Sequence, residues 1–236
     1  MKTFEQHPQG YLRLAGLAYL ANIALGLFGE VVVRGTLVVA GDGPATAARI
    51  AENAGLWRLG LGGDLLMQLL DIPLIVVFYL LLRPVSRPLA LMSTAFNIVQ
   101  TAVLVANKLS MLAPLLLVTA PAVPDLGPQV LFWVRLHAHG FGIGLIFFGV
   151  TCLLRGWVIA RSGVLPRALG VLLIAAGAGY LVNSFALLLA PTLARHLFPW
   201  VLIPSFVGEL ALSLWLLARG LDVQAWHATW APRPGP

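Results

Sequence analysis

Six long apolar runs constrain this chain more than any other feature: residues 12–33, 59–82, 89–118, 130–154, 168–190 and 197–218. Each is long enough to cross about 30 Å of hydrocarbon as a helix. None shows the strict polar/apolar alternation that a membrane-spanning strand requires. Hydrophobic residues make up 59% of the chain and charged residues only 10%, against about 25% charged in an ordinary soluble domain. The expected fold is therefore all-α, a polytopic membrane protein with a bundle of six transmembrane helices. Residues 1–225 form a single domain in this reading, and the proline-rich stretch 226–236 forms a loose tail. The third run contains Pro114 and is expected to bend or surface before its end. In the long connection 35–58, Pro44 followed by residues 45–56 predicts a short interfacial helix.

The loops carry an orientation signal. Arg83 and Arg87 follow the second run, and Arg155, Arg161 and Arg167 follow the fourth. The loop 119–129 has no Lys or Arg, and the loop after the fifth run has only Arg195. Basic loops stay on the cytoplasmic side, so both termini are expected there, in the inner membrane of a bacterium. The net charge of +6 is then a matter of topology and anionic lipid, and no nucleic-acid partner is expected. A single cysteine, Cys152, excludes an intrachain disulfide framework and a cysteine-based metal cluster.

Ionisable groups inside spanning segments cost about 2.5 to 3.5 kcal/mol each on insertion scales, so each needs a partner or a role. Glu30, Arg34, Asp64, Lys108, Arg135 and His137 all fall in the outer third of their segments. Glu30 and Arg34, four apart with the acid first, predict a local ion pair. Asp71 and Glu209 lie near the centres of their segments with no base four residues on. Asp64, Gln68 and Asp71 share one helix face, as do Ser205, Glu209 and Ser213. Asn97, Gln100, Asn107 and Lys108 add a stripe on the third helix, and Asn183 contributes from the fifth. Turned inward, these stripes surround a polar cavity lined by Asp64, Gln68, Asp71, Gln100, Asn107, Lys108, Arg135, His139, Asn183 and Glu209. A packed, mutually hydrogen-bonded core explains the same stripes equally well. Pro73 and Pro204 free the carbonyls of Leu69 and Trp200 near the two central carboxylates, as broken helices do at transporter ion sites.

His137 and His139 point about 200° apart on a regular helix, so no metal site is expected. Arg135 and His139 share a face and predict a cationic patch for an anion. Gly140 and Gly144 predict close helix packing. No phosphate-binding loop, dinucleotide fingerprint or nucleophile elbow occurs in a credible context, and no cofactor is expected.

The segments Phe147-Phe148-Gly149, Ser162-Gly163-x-Leu165-Pro166-Arg167 and Gly179-Tyr180-Leu181, with Asp64, Asp71 and Arg83-Pro84, resemble an uncharacterised bacterial integral-membrane family, a domain of unknown function numbered forty-three eighty-six. The resemblance covers nearly the whole chain. It implies a several-helix bacterial membrane protein and assigns no activity to any residue.

Three functional classes follow. The leading expectation is a small transporter or ion-coupled carrier with a polar site between helices, centred on Asp71 and Glu209. The second is a membrane accessory or sensor protein that binds lipid or a partner. The third is an intramembrane lipid-modifying enzyme using His139 and Asp64 as acid and base. The expected partners are the lipid bilayer and a small-molecule or ion ligand, with a homo-oligomer left open.

Overall fold

The computed structural model describes residues 2–229. A short helix α1 (Lys2–Gln6) precedes the first spanning helix, α2 (Pro8–Leu37). An excursion helix α3 (Gly43–Glu52) leads to α4 (Ala54–Leu82), α5 (Arg87–Thr119), α6 (Leu126–Ser162) and α7 (Arg167–Leu189). A second excursion helix α8 (Pro191–Leu197) leads to α9 (Trp200–Ala218), and α10 (Val223–Ala228) closes the described chain. No strand occurs among the described residues. Six helices, α2, α4, α5, α6, α7 and α9, are long and apolar enough to cross a membrane.

These six helices form a ring in chain order. Each packs against its sequence neighbours, and α9 returns to pack against α2. An even number of crossings places both described termini at one end of the bundle, the terminal end, where the rings of Phe4 and Trp226 meet at 5.7 Å. The opposite, distal end carries α3 and α8. An apolar cluster that includes Leu12, Phe78, Leu81, Ile159, Leu216 and Trp226 fills the ring at the terminal end. A second cluster, with Val33, Ile50, Trp57, Met111 and Val130, packs α3 against one side of the distal end.

The seam between α6 and α7 is built from glycine. A Cβ added at Gly156 would lie 2.6 Å from the Gly170 carbonyl oxygen, and one at Gly177 would lie 2.6 Å from the Gly149 carbonyl oxygen. Glycines seven apart on both antiparallel helices thus let the two backbones touch. Gly163, in a left-handed conformation at φ 68°, ends α6. The Ser162 hydroxyl accepts the Val164 amide there at 3.1 Å, so the Ser-Gly-x-Leu-Pro-Arg segment is the tight turn that returns the chain into α7.

Several boundaries differ from the sequence reading. The fourth segment does not end at residue 154: α6 runs 37 residues, to Ser162, about 55 Å at 1.5 Å per residue. Arg155 is consequently inside the bundle and only 4% exposed, not in a basic loop. The apolar run stops at the first charged residue, whereas the helix continues because that charge finds partners in the interior. The orientation signal persists without it, since Arg83, Arg87, Arg161 and Arg167 remain at the terminal end. Pro204 does not break a helix. It occupies the first turn of the regular helix Ile203–Ala218, where a missing amide costs no hydrogen bond. Pro73 lies within α4, which stays continuous. The third segment is interrupted at Lys108, between Arg87–Asn107 and Leu109–Thr119, about two turns before Pro114. The excursion helix forms over Gly43–Glu52, capped by the Asp42 side chain accepting the Ala45 amide at 2.9 Å. Residues 54–56 belong instead to α4. Trp226, expected in a loose tail, is fully buried and donates through its indole to the Leu81 carbonyl at 3.2 Å. Asp222 caps α10 by accepting the Ala225 amide. Residues 230–236 of that expected tail lie outside the described residues.

Candidate functional site

Near its far end α2 changes register. Residues Phe28–Arg34 form a π-helical stretch, a rare departure that is frequent at functional sites. It brings Glu30 and Arg34 together through the Arg34 Nε at 2.8 Å, the expected pair. The pair extends further than expected: Arg34 also donates through Nη1 to Asp64 Oδ2 at 2.9 Å, and Lys108 donates to the same oxygen at 2.9 Å. Gly29 makes room for this, because a Cβ there would lie 2.6 Å from Asp64 Oδ1. The α5 interruption falls at the residue whose ammonium group must reach α4. Two acids and two bases from three helices therefore form one neutral network. Asp64 (1% exposed side chain) and Lys108 (4%) are buried within it, and Glu30 (66%) lies at its open edge.

Beside that network lies a vestibule of about 910 Å³ that reaches the distal end. Its polar wall comprises Glu30, Arg34, Asp64, Arg135, His137, His139, Asn183 and Arg195, and its apolar wall includes Phe141, Leu145, Leu187, Phe198 and Leu202. Arg135 and His139 share a face as expected, and the His139 Nδ1 meets the Arg135 carbonyl at 2.8 Å. His137 also borders the vestibule. Its ring, however, is turned to Asn107, whose amide nitrogen lies 3.1 Å from His137 Nδ1 and donates to the His137 carbonyl at 2.9 Å. Asn107 packs against Gly140, where any Cβ would collide with the Asn107 side-chain amide. No group of three or more His, Cys, Asp or Glu among the described residues is arranged to hold a metal ion.

Deeper in the ring a second cavity of about 290 Å³ adjoins the first, sharing the walls Gly26, Met67, Phe141, Leu145 and Leu202. All six spanning helices line it. Tyr19 and Asn22 come from α2, Gln68 and Asp71 from α4, Gln100 from α5, Phe148 from α6, Tyr180 from α7 and Glu209 from α9. Glu209 is clasped by two phenols: Tyr19 donates to Oε2 at 2.9 Å, and Tyr180 donates to Oε1. Asp71 Oδ2 accepts from Thr101 at 2.6 Å and from Asn97 at 3.2 Å. Asn97 Oδ1 in turn accepts from Arg155 at 2.5 Å, and the Arg155 guanidinium lies 4.5 Å over the Phe78 ring. Asn22 Oδ1 and Gln68 Oε1 are buried with no hydrogen-bond partner, so the polar wall of this chamber does not satisfy itself.

The ten residues expected around one cavity thus divide. Gln68, Asp71, Gln100 and Glu209 meet at the inner chamber. Asp64, Arg135, His139 and Asn183 meet at the vestibule. Asn107 and Lys108 line neither cavity and act as bonding partners within the wall. His139 and Asp64 face the same vestibule, but Asp64 Oδ2 is held by two cations, which opposes use of that carboxylate as a base. Tyr19, Asn22 and Thr101 carry no mark in the sequence, and Arg155 reads there only as a loop residue. Tyr180 carried a signal, since it stands within the Gly179-Tyr180-Leu181 segment.

The model of a family described as Domain of unknown function (DUF4386) matches residues 14–220. An uncharacterized protein of Archaeoglobus fulgidus is 26% identical over 158 residues, which cover 67% of this chain and 82% of that protein. No solved structure matches the chain.

Proposed function

The chain belongs to that family of unknown function, and we propose that within it this protein is a small membrane carrier. Ligand enters from the distal end, and Asp71 and Glu209 form the coupling site. The observation that carries this reading is the inner chamber: six helices in a closed ring each contribute a side chain to one space holding two carboxylates, and that space adjoins a vestibule at one end. A protein that only packs its helices has no use for such a chamber, because polar groups in hydrocarbon are costly unless they meet a partner or a ligand. The apolar cluster at the terminal end, with Leu12, Phe78, Leu216 and Trp226, serves as the closed gate of the state seen here. Alternating access then consists of moving helices against one another around a fixed central site. In this reading the terminal end faces the cytoplasm of the inner membrane, as its arginine-bearing turns favour.

The test uses Met67→Cys, on the wall common to both cavities, in a Cys152→Ala background. An impermeant thiol reagent is applied to vesicles of either orientation. A carrier requires modification from the distal side and, in the alternate state, from the terminal side. Modification from the distal side alone, with or without a pH gradient, would overturn the carrier reading in favour of a receptor or accessory protein that binds its ligand from one face.

A further inference from the structure

Ion pairing leaves the vestibule with an excess of positive charge at its rim. Arg34 and Lys108 are answered by Glu30 and Asp64. Arg135 and Arg195 line the same vestibule, are exposed, and have no acidic partner among the described residues. Below them the wall changes character. From Arg135 to Leu145 is ten residues of one helix, about 15 Å of depth, and over that distance the lining passes to Phe141 and Leu145, faced by Leu187 and Leu202. Deeper still the polar groups that line the floor include the acids Asp71 and Glu209, which offer an anionic head no cationic partner and leave the rim as its place.

A cationic rim, an apolar shaft and an acidic floor select a molecule with an anionic head and a hydrocarbon body. A small inorganic anion has no use for the shaft, and a cationic amphiphile meets repulsion at the rim and its attraction only at the floor. The volume of about 910 Å³ lies at the upper end of the range for small-molecule sites, about 300 to 1,000 Å³. We infer that the vestibule binds a single-chain amphiphile with an anionic headgroup, the head between Arg135 and Arg195 and the chain descending along Phe141, Leu145, Leu187 and Leu202. This rests on the carrier reading only in taking the vestibule as the entrance.

The experiment is native mass spectrometry of the purified full-length protein released from a neutral maltoside detergent, titrated with dodecyl phosphate or dodecanoate. Inorganic phosphate and dodecyltrimethylammonium provide the head-only and opposite-charge controls. The wild type should retain one dodecyl anion, with each control bound about tenfold or more weaker. Arg135→Gln combined with Arg195→Gln should weaken retention of the anion by about tenfold or more, the effect of losing charge-assisted hydrogen bonds. Both arginines are exposed, so the double variant should fold, and its unchanged melting temperature verifies this. Binding of either dodecyl anion, lost in the double variant, supports the site and identifies the preferred head. Equal retention by the double variant, or a cationic amphiphile or inorganic phosphate bound as tightly as the anion, overturns the ligand class. Such a failure leaves the two-sided labelling of Met67→Cys to judge the carrier reading on its own.

Discussion

Replacing Asp64 with asparagine removes a negative charge shared by two buried cations. Arg34 and Lys108 both donate to Oδ2 at 2.9 Å, with side-chain exposures of 11% and 4%. Breaking a buried ion pair by deleting one partner costs about 3 to 5 kcal/mol, because the remaining charge is stranded. Glu30→Gln is the contrasting case. Glu30 is 66% exposed, and Arg34 keeps Asp64 when it is removed, so the loss should be that of an exposed pair, about 0.2 to 1 kcal/mol. For a chain of this size each kcal/mol moves the melting temperature by about 2 to 4 °C. Asp64→Asn should therefore melt roughly 6 to 20 °C below wild type, and Glu30→Gln within about 4 °C of it. Adding Lys108→Gln to Asp64→Asn should recover much of the loss, since Arg34 can fall back on Glu30 at 2.8 Å. Intrinsic fluorescence of the seven tryptophans during heating in detergent reads all four proteins. A Glu30→Gln loss equal to that of Asp64→Asn, or a deeper loss on adding Lys108→Gln, would refute the shared-carboxylate network.

Two further outcomes are expected. Asp71→Asn keeps the shape and an oxygen able to accept from Thr101 and Asn97, so it should fold with nearly wild-type stability while altering the pH dependence of melting, as loss of a titrating coupling group requires; superimposable melting curves for the two proteins at every pH would remove Asp71 as a coupling group. Trp226→Ala should destabilise by about 3 to 5 kcal/mol, the cost of emptying a fully buried aromatic site, whereas an unchanged melting temperature would return the segment to the loose tail that its sequence suggests.

Length and hydropathy made the six crossings legible, because lipid accepts only helices or closed barrels. They also made Asp71 and Glu209 visible as central acids. What stayed hidden depends on contacts between helices far apart in sequence. Arg155 reads as the first residue of a basic loop until its guanidinium is seen reaching Asn97 and lying over Phe78. Tyr19 reads as an ordinary aromatic and Tyr180 stands out only as part of its Gly-Tyr-Leu segment, since nothing local says that both hydroxyls converge on Glu209. The π-helical stretch in α2 carries no proline or other mark of its own, and it widens where Arg34 must serve Glu30 and Asp64 together. Pro204 misleads in the opposite sense: its missing amide suggests a break, but at the first turn of a helix no bond is there to lose. Four polar stripes suggest one enclosed cavity, and helix spacing alone does not divide that space into a basic vestibule and an acidic chamber.

The glycine seam between α6 and α7 has a mechanical consequence. Where side chains interlock, helices can slide by changing rotamers; where carbonyl meets Cα directly, as at Gly149 with Gly177 and Gly156 with Gly170, no soft layer absorbs displacement. This hairpin carries Arg135, His139, Phe148, Asn183 and Tyr180 on one stiff frame, so these residues keep their positions relative to one another. Motion that reshapes the cavities must be taken up elsewhere, at joints where α2 and α5 meet α4 and the π-helical stretch and the Lys108 interruption already depart from regular helix. In the proposed carrier that division of labour makes the hairpin the stator and the opposite half of the ring the moving part.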